Sequence, residues 1–211
     1  MFRNFTKVIF RYLSRSRFFT ALNITGLSVG MACCIVIYFF VSNELSYDRF
    51  HRDGENIYRV IRQSQINGMP YNIGITSKPF AEALKQDYGD KVQSVTRAMA
   101  FYGLVKYQDK AFIEDKIQVV DNNFFEFFSY PLLKGQPSTV FAQANNIVIS
   151  KSFAAKYFGG EDPIGKVIRL DDTYDLQVSG ILDKLPGNTH LQFEALIPVD
   201  LVASNEDWMD D

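Results

Sequence analysis

The chain has 211 residues, 47% of them hydrophobic, and a formal net charge of -2. That length allows one or two domains, and the balance of charge excludes a generally basic nucleic-acid binder. Both cysteines, Cys33 and Cys34, fall in one apolar run, so no disulfide framework is available to the remainder.

The charge is unevenly spread. Residues 1–17, MFRNFTKVIFRYLSRSR, carry Arg3, Lys7, Arg11, Arg15 and Arg17 and no acid, whereas the far end, NEDWMDD, is acidic. On a helical wheel Arg3, Lys7, Arg11 and Arg15 share one arc, and Phe2, Phe5, Ile9, Tyr12 and Leu13 the opposite one. The pattern predicts a basic amphipathic helix lying in a membrane interface. Two readings of it stay open: an anchor that sets topology, or a docking element for a cytoplasmic partner.

Residues 18–42, FFTALNITGLSVGMACCIVIYFFVS, contain no charged side chain. About 20 apolar residues suffice to cross a bilayer as a helix. The run is longer than a signal-peptide core and lacks a small-residue cleavage site after it, so a retained transmembrane helix is expected. The basic residues before it place the N-terminus in the cytoplasm and residues 43–211 outside. Within the span Gly26, Gly30 and Cys34 recur every fourth residue and Asn23 extends the same face. Such a stripe lets a neighbouring helix approach closely.

The remainder reads as follows. A polar, turn-rich stretch after Ser42 leads into a strand near 57–66. TSKPFAEALKQDY is a helix capped by Thr76 or Ser77. VQSVTRAMA, KYQDKAFI and KIQVVD are strands. NNFFEFF is a short helix, SYPLLKGQP a loop, NIVIS a strand and KSFAAKYF a helix. KVIRL and YDLQVSGIL form a hairpin across Asp171–Thr173, LPGNTH is a loop, and FEALIP is a last strand. Strands and helices intermingle without a regular βαβ period, so the fold class is α+β: one N-terminal transmembrane helix followed by a mixed α/β extracytoplasmic domain.

Candidate chemistry is sparse. GGEDPIGKV contains G-x-x-x-x-G-K, but Val167 stands where a phosphate loop needs Ser or Thr, and the stretch runs from helix to strand. It is read as a turn built on Gly159, Gly160, Pro163 and Gly165. His51 and His190 have no neighbour at zinc spacing and are read as surface or loop histidines. Asn4 and Asn23 sit in N-x-T sequences, but in the basic arm and the span, so neither is counted as a glycosylation site. The aromatic run DNNFFEFFSYPLL is read as core. No catalytic, cofactor or metal residue is assigned.

Several segments together resemble MacB/FtsX-type ABC transporter permeases, in the long form frequent in Bacteroidota. They are the Arg-rich arm; N-x-x-G-L at Asn23; E-L-S-Y-D, with Glu44, Tyr47 and Asp48; and I-Y-R-V, with Tyr58 and Arg59. Next come VVDNNFFEFFSYPLLKGQP, with Phe124, Phe125 and Gly135, and IVISKSFAAKYFGGEDPIGKVIRL, with Tyr157, Phe158, Gly159, Pro163 and Gly165. Last is VSGILDKLPGNTH, with Gly180 and Pro186, and with Thr189 where Ser is usual. The resemblance covers nearly the whole chain.

It implies a cytoplasmic helix over 1–17, a transmembrane helix over 18–42 and a MacB-like periplasmic core domain over 43–211, incomplete on its C-terminal side. The remaining extracytoplasmic part, further transmembrane helices and a cytoplasmic coupling loop are expected beyond this piece. The implied setting is the bacterial inner membrane. The implied partners are a cytosolic ATP-binding-cassette ATPase, a second permease protomer, membrane lipid contacting Arg3, Lys7, Arg11 and Arg15, and a periplasmic adaptor where an outer duct is engaged. In several members nucleotide-driven closure moves the extracytoplasmic domains rather than passing substrate between the helices. The substrates of the wider family range from macrolides and peptides to lipoproteins. The alternatives are a single-pass anchored binding or sensory domain, and an anchored enzyme, for which no catalytic constellation is present.

Overall fold

The uncharged apolar run forms one helix, α1 (Arg17–Glu44), in the computed structural model, which describes residues 11, 15–77 and 79–203. At a rise of 1.5 Å per residue it is ~42 Å long, more than the ~30 Å of bilayer hydrocarbon. None of its residues is buried. Among the described residues no other helix is long and apolar enough to cross a membrane. The helix overruns the predicted 18–42 at both ends. It closes where Leu45 N–H bonds the Val41 carbonyl at 2.9 Å and the Ser46 hydroxyl bonds the Asn43 carbonyl at 2.6 Å. Arg3, Lys7 and most of the expected amphipathic helix lie outside the described residues.

The chain divides into two units at Tyr47/Asp48. The second begins with a turn of 3-10 helix (Gly54–Asn56) and a two-stranded hairpin, β1 (Arg62–Ile66) and β2 (Met69–Ile73). Helix α2 (Pro79–Tyr88) follows. Then come β3 (Ala98–Tyr107), β4 (Lys110–Val120), α3 (Phe124–Phe127), β5 (Leu132–Lys134), β6 (Asn146–Ser150) and α4 (Lys151–Phe158). The described residues end with β7 (Val167–Leu170), β8 (Tyr174–Leu182), β9 (Ala195–Pro198) and α5 (Val199–Ala203).

Seven of these strands form one mixed sheet in the order β5-β8-β6-β9-β4-β3-β7, and β7 pairs back onto β8. The ladder therefore closes on itself through β8, β6, β9, β4, β3 and β7. β8 can serve both sides because it is long. One edge carries β6; the other carries β7 along Tyr174–Gln177 and β5 at Ile181–Leu182.

Every strand of the ring sends alternate residues to one core: Val105, Ile117 and Val119, Ile147 and Ile149, Ile168 and Leu170, Leu176 and Val178, Ala195 and Ile197. Phe153, Tyr157 and Phe158 of α4 and Leu201 and Val202 of α5 pack with them. The intervening residues Val120, Val148, Leu182 and Leu196 face a second core with Phe124, Phe125, Tyr130, Val140, Phe141 and Phe193. Strands β6 and β9 are thus covered on both faces. That is why NIVIS and ALIP are unbroken apolar runs rather than alternating ones.

Helix α4 follows the sequence closely. The Ser150 hydroxyl accepts the Phe153 N–H at 3.0 Å, an N-cap, and Gly159 at φ 63° ends it. The GGEDPIGKV stretch is a helix-to-strand turn, with Pro163 buried, Gly165 N–H on the Val178 carbonyl at 2.8 Å, and Lys166 paired with Glu161. The β7–β8 hairpin turns at Asp171 and Asp172, both at positive φ.

The structure differs from the expected elements in several places. KYQDKAFI is not a strand: Gln108 at φ 51° turns the chain between β3 and β4, and β4 runs on through KIQVV. The predicted strand near 57–66 begins only at Arg62, and its partner Met69–Ile73 was not read as a strand. The pair is joined by Asn67 and Gly68 at φ 53° and 77°, a left-handed two-residue turn whose twist matches a hairpin. SYPLLKGQP contains β5, and α5 follows FEALIP.

Gly135 (φ 95°) sits where β5 leaves β8: a Cβ there would lie 2.7 Å from Val140 Cγ1 and 3.0 Å from the Ser179 carbonyl oxygen. Replacing it with alanine adds strain at positive φ to a clash in a filled space. Gly135→Ala is expected to destabilise the outer unit by about 1–3 kcal/mol. Gly187→Ala, with nothing within 4 Å of its added Cβ, is expected to be nearly neutral. Near-UV circular dichroism melts of the full chain in detergent micelles measure both.

Candidate coupling site

A short segment follows α1, and Asp48 is the first residue of the outer unit. Asp48 has φ 56°, a left-handed conformation that aspartate tolerates better than most residues. Its N–H bonds the Asn188 carbonyl at 3.0 Å. Its Oδ1 accepts from the Thr189 hydroxyl at 2.6 Å and from the His190 N–H at 3.2 Å, and its Oδ2 meets His190 Nδ1 at 2.5 Å. Thr189 has one hydroxyl proton, and the carboxylate takes it. The Tyr130 hydroxyl, 3.0 Å away, is therefore the donor to Thr189. Both Thr189 and Tyr130 are buried.

Three residues on, His51 is buried among Phe50, Phe128 and Tyr130. Its Nδ1 accepts the Ser129 N–H at 3.2 Å, and Arg52 N–H donates to the Ser129 hydroxyl at 3.0 Å. Residues 48–52 are thus fastened on one side to Ser129 and on the other to residues 188–190. Tyr130 closes the triangle through Thr189.

The electrostatics follow from this geometry. Burial pushes the Asp48 carboxyl up, but the hydrogen bonds from Thr189 and His190 outweigh it and leave the group below its usual range. Burial holds His51 below the ordinary imidazole value, with the Asp48 charge opposing. Burial raises the Tyr130 phenol to about 12.

Other motif positions are scattered. Asn23, Gly26, Gly30 and Cys34 are exposed on α1, and nothing lies within 4 Å of a Cβ added at Gly26 or Gly30. Arg11, Arg15, Arg17 and Glu44 are exposed and Tyr47 is half-buried. Tyr58 is 80% exposed, and Arg59 reaches the Gly74 carbonyl at 3.4 Å. Phe124, Phe125 and Phe158 are core. Tyr157 is core too, with its hydroxyl on Glu114 at 2.6 Å, and burial raises its phenol far above the usual range.

Gly135 and Gly180 meet across Val140: a Cβ on Gly135 would lie 3.2 Å from the Gly180 Cα. Pro186 lies in the loop between β8 and β9 that carries Thr189. Of all the motif positions, then, Asp48 of E-L-S-Y-D meets Asn188, Thr189 and His190 of P-G-N-T-H in one polar site, and two glycines meet in one packing contact.

His51 lies in a loop, as one half of the sequence reading has it, but it is buried rather than on the surface. Tyr130 is a further member that the sequence showed only as part of an aromatic run. Its signal was a hydroxyl inside an apolar cluster, which needs a partner. Among the described residues no group of three His, Cys, Asp or Glu side chains could hold a metal ion. What the site can do chemically is hold: a carboxylate accepts from several donors and ties together segments distant in sequence.

The contribution of Asp48 has a definite pH window. With a folded-state pKa below the unfolded value of about 3.9, its stabilisation is complete above that value and is lost as pH falls through the folded pKa. Asp48→Asn is expected to cost about 1–2 kcal/mol at neutral pH, allowing for its partial exposure. The difference from wild type should shrink as pH falls below about 3.9, through the lower folded-state pKa. Melts of both proteins across pH measure it.

The comparisons with known proteins bear on this architecture. Residues 20–210 match the model of the MacB-like periplasmic core domain. No curated protein matches. Among solved structures, a domain of a permease protein from Porphyromonas gingivalis is 23% identical with TM-score 0.54, covering 62% of this chain and 56% of that one. The extracellular domain of the noncanonic ABC-type transporter YknZ from Gram-positive bacteria is 17% identical with TM-score 0.50, covering 62% of this chain and 66% of that one. The periplasmic region of MacB from Actinobacillus actinomycetemcomitans is 19% identical with TM-score 0.47, covering 59% and 56%. The chain therefore spans less than two thirds of each of these solved domains. At such identities the first two show the shared fold. With the family model matched from residue 20 to residue 210, the chain belongs to the MacB-like periplasmic core domain family.

Proposed function

We propose that this chain is the leading part of a permease subunit of a MacB/FtsX-type ATP-binding-cassette transporter. In this reading residues 1–17 lie on the cytoplasmic side, 18–42 cross the inner membrane, and 43–211 belong to the extracytoplasmic domain. A separate cytosolic ATPase supplies the energy. A second permease protomer packs in the membrane, with the Asn23, Gly26, Gly30 and Cys34 stripe as the face open to a neighbouring helix.

The observation that carries the reading is the family match combined with the place of the joint. A helix fit to cross a membrane ends at Glu44, and the chain is fixed onto the closed sheet from Asp48 onward. A lever needs a stiff arm and a connection without slack. Mutually satisfied polar groups hold residues 48–52 to the sheet, because breaking one leaves a desolvated partner. In this account movement of α1 driven from the cytoplasm is passed to the ring of strands as a rigid-body displacement. Substrate recognition is assigned to no residue of this chain.

Two measurements test the reading. Isolation from native membranes with an antibody to residues 43–211 is expected to bring down an ATP-binding-cassette ATPase. Recovery of the chain without any ATPase would favour the anchored binding or sensory domain instead. In a cysteine-free background, with Cys33 and Cys34 replaced by alanine, Tyr102→Cys is expected to react with a membrane-impermeant maleimide applied from outside. Tyr102 is 77% exposed. Arg3→Cys is expected to react only after permeabilisation. The reverse pattern would rule out the proposed orientation.

A further inference from the structure

His51 is 7% exposed, with ring centroids of Phe50 at 4.0 Å, Phe128 at 5.0 Å and Tyr130 at 5.2 Å. Its Nδ1 accepts the Ser129 N–H at 3.2 Å. A neutral imidazole has one N–H and one bare nitrogen. Nδ1 is therefore the bare one, and the ring proton is on Nε2. A second proton can bind only at Nδ1, the atom that holds Ser129. Once there, it sets one N–H against another at hydrogen-bond distance. Protonation of His51 and its bond to Ser129 exclude each other, whatever the pKa.

We propose that His51 is an acid-operated release for the joint: a proton on Nδ1 breaks the His51–Ser129 bond, leaves only the Arg52 N–H on the Ser129 hydroxyl to hold that side, and loosens the chain where it joins the closed sheet. The groups facing the ring from each packed segment are few. Asp48, on its own segment, attracts the imidazolium. Tyr130, beyond α3, presents a neutral phenol. His190, on the 188–190 loop, is exposed and bonded to Asp48. Arg49 and Arg52 flank the ring in sequence and are exposed. The cage rings offer an imidazolium some cation–π attraction, but none of them replaces the acceptor that the Ser129 N–H loses.

The direction in pH follows. The folded state holds His51 below its ordinary value, so between the folded pKa and about 6.5 the unfolded state binds more protons. The stabilisation is complete above about pH 6.5, declines as pH falls toward the folded pKa, and is flat below it. This window is separate from that of Asp48, which opens only near pH 4. The proposal rests on the joint and stands apart from the transport reading.

The test uses the full chain in detergent micelles. Backbone amide exchange over residues 48–52 and 129–131 is read at pH 7.5 and 5.5, corrected for the intrinsic rate. Exchange there is expected to rise by about tenfold in acid, while peptides over β6 and β9 stay unchanged. His51→Asn retains an acceptor near the Nδ1 position and takes no proton, so its acid response should vanish. His190→Asn should keep it.

Deuteration of the imidazole C2–H, followed by mass spectrometry, gives the His51 titration in the wild-type protein. A midpoint below the ordinary value is expected. The proposal falls if the corrected wild-type exchange is the same at both pH values, if His51→Asn responds as wild type does, or if His51 titrates at or above 6.5. Should His51→Asn fail to fold, the two wild-type measurements decide alone.

Discussion

Strand β8 carries the constraint on which the outer unit depends: it must hold partners on both edges at once. Backbone groups buried in a sheet need partners, and an open sheet would leave two edges unpaired. Here β6 takes one edge of β8, while β7 and β5 share the other end to end. The closure lets six strands enclose one core and lay a second against α3 and the residues after it. The glycine pair, Gly135 and Gly180, belongs to the same constraint. It lets the chain pass close enough at the end of β8 for β5 to take the free part of the edge.

The joint at Asp48 uses that scaffold. Ser129 and Tyr130 lie between α3 and β5, and Thr189 and His190 lie between β8 and β9. The positions of both segments are therefore set by the ring. Asp48 and His51 reach into the space between them, one with a charge and the other with a neutral acceptor. The two differ in consequence. The carboxylate is most secure across the whole neutral range, while the imidazole gives way first as acid is added. One site thus carries a durable bond and a conditional one.

Much of the fold could be read in the sequence wherever one local rule decided the outcome. Helix α1 follows from an uncharged run, α4 from Ser150 before a helical apolar pattern, and β6 from a short β-branched block. The β7–β8 hairpin follows from two acidic turn residues between alternating segments. Reading failed where pairing at long range decided. KYQDKAFI has the composition of a strand, yet a turn at Gln108 divides it because β3 and β4 must fold back on each other. β5 is three residues long and exists only because β8 has free edge to offer. The β1–β2 turn was legible as Asn-Gly and was missed. At the joint, Asp48 and Pro186 stood out as motif positions, but nothing local says that residues 142 positions apart share a hydrogen bond. His51 looked like a surface residue because burial is a property of its neighbours, all of them remote except Phe50.

The parallel pairing of β4 with β9 has a consequence for how the protein is made. Ile117 to Val120 pair early with β3 but find partners for their other edge only at Ala195 to Pro198, and β6 needs the same late strand. A ribosome releases α1 first, and the ring cannot close until the chain has grown past residue 198. Until then the aromatic and β-branched residues of both cores are without their cover. Long-range pairing of this kind also folds slowly, because loops must close before contacts reward them. The protein therefore passes through a stage in which α1 is made and the unit after it is an open, sticky chain. That is the stage at which a chaperone has most to protect.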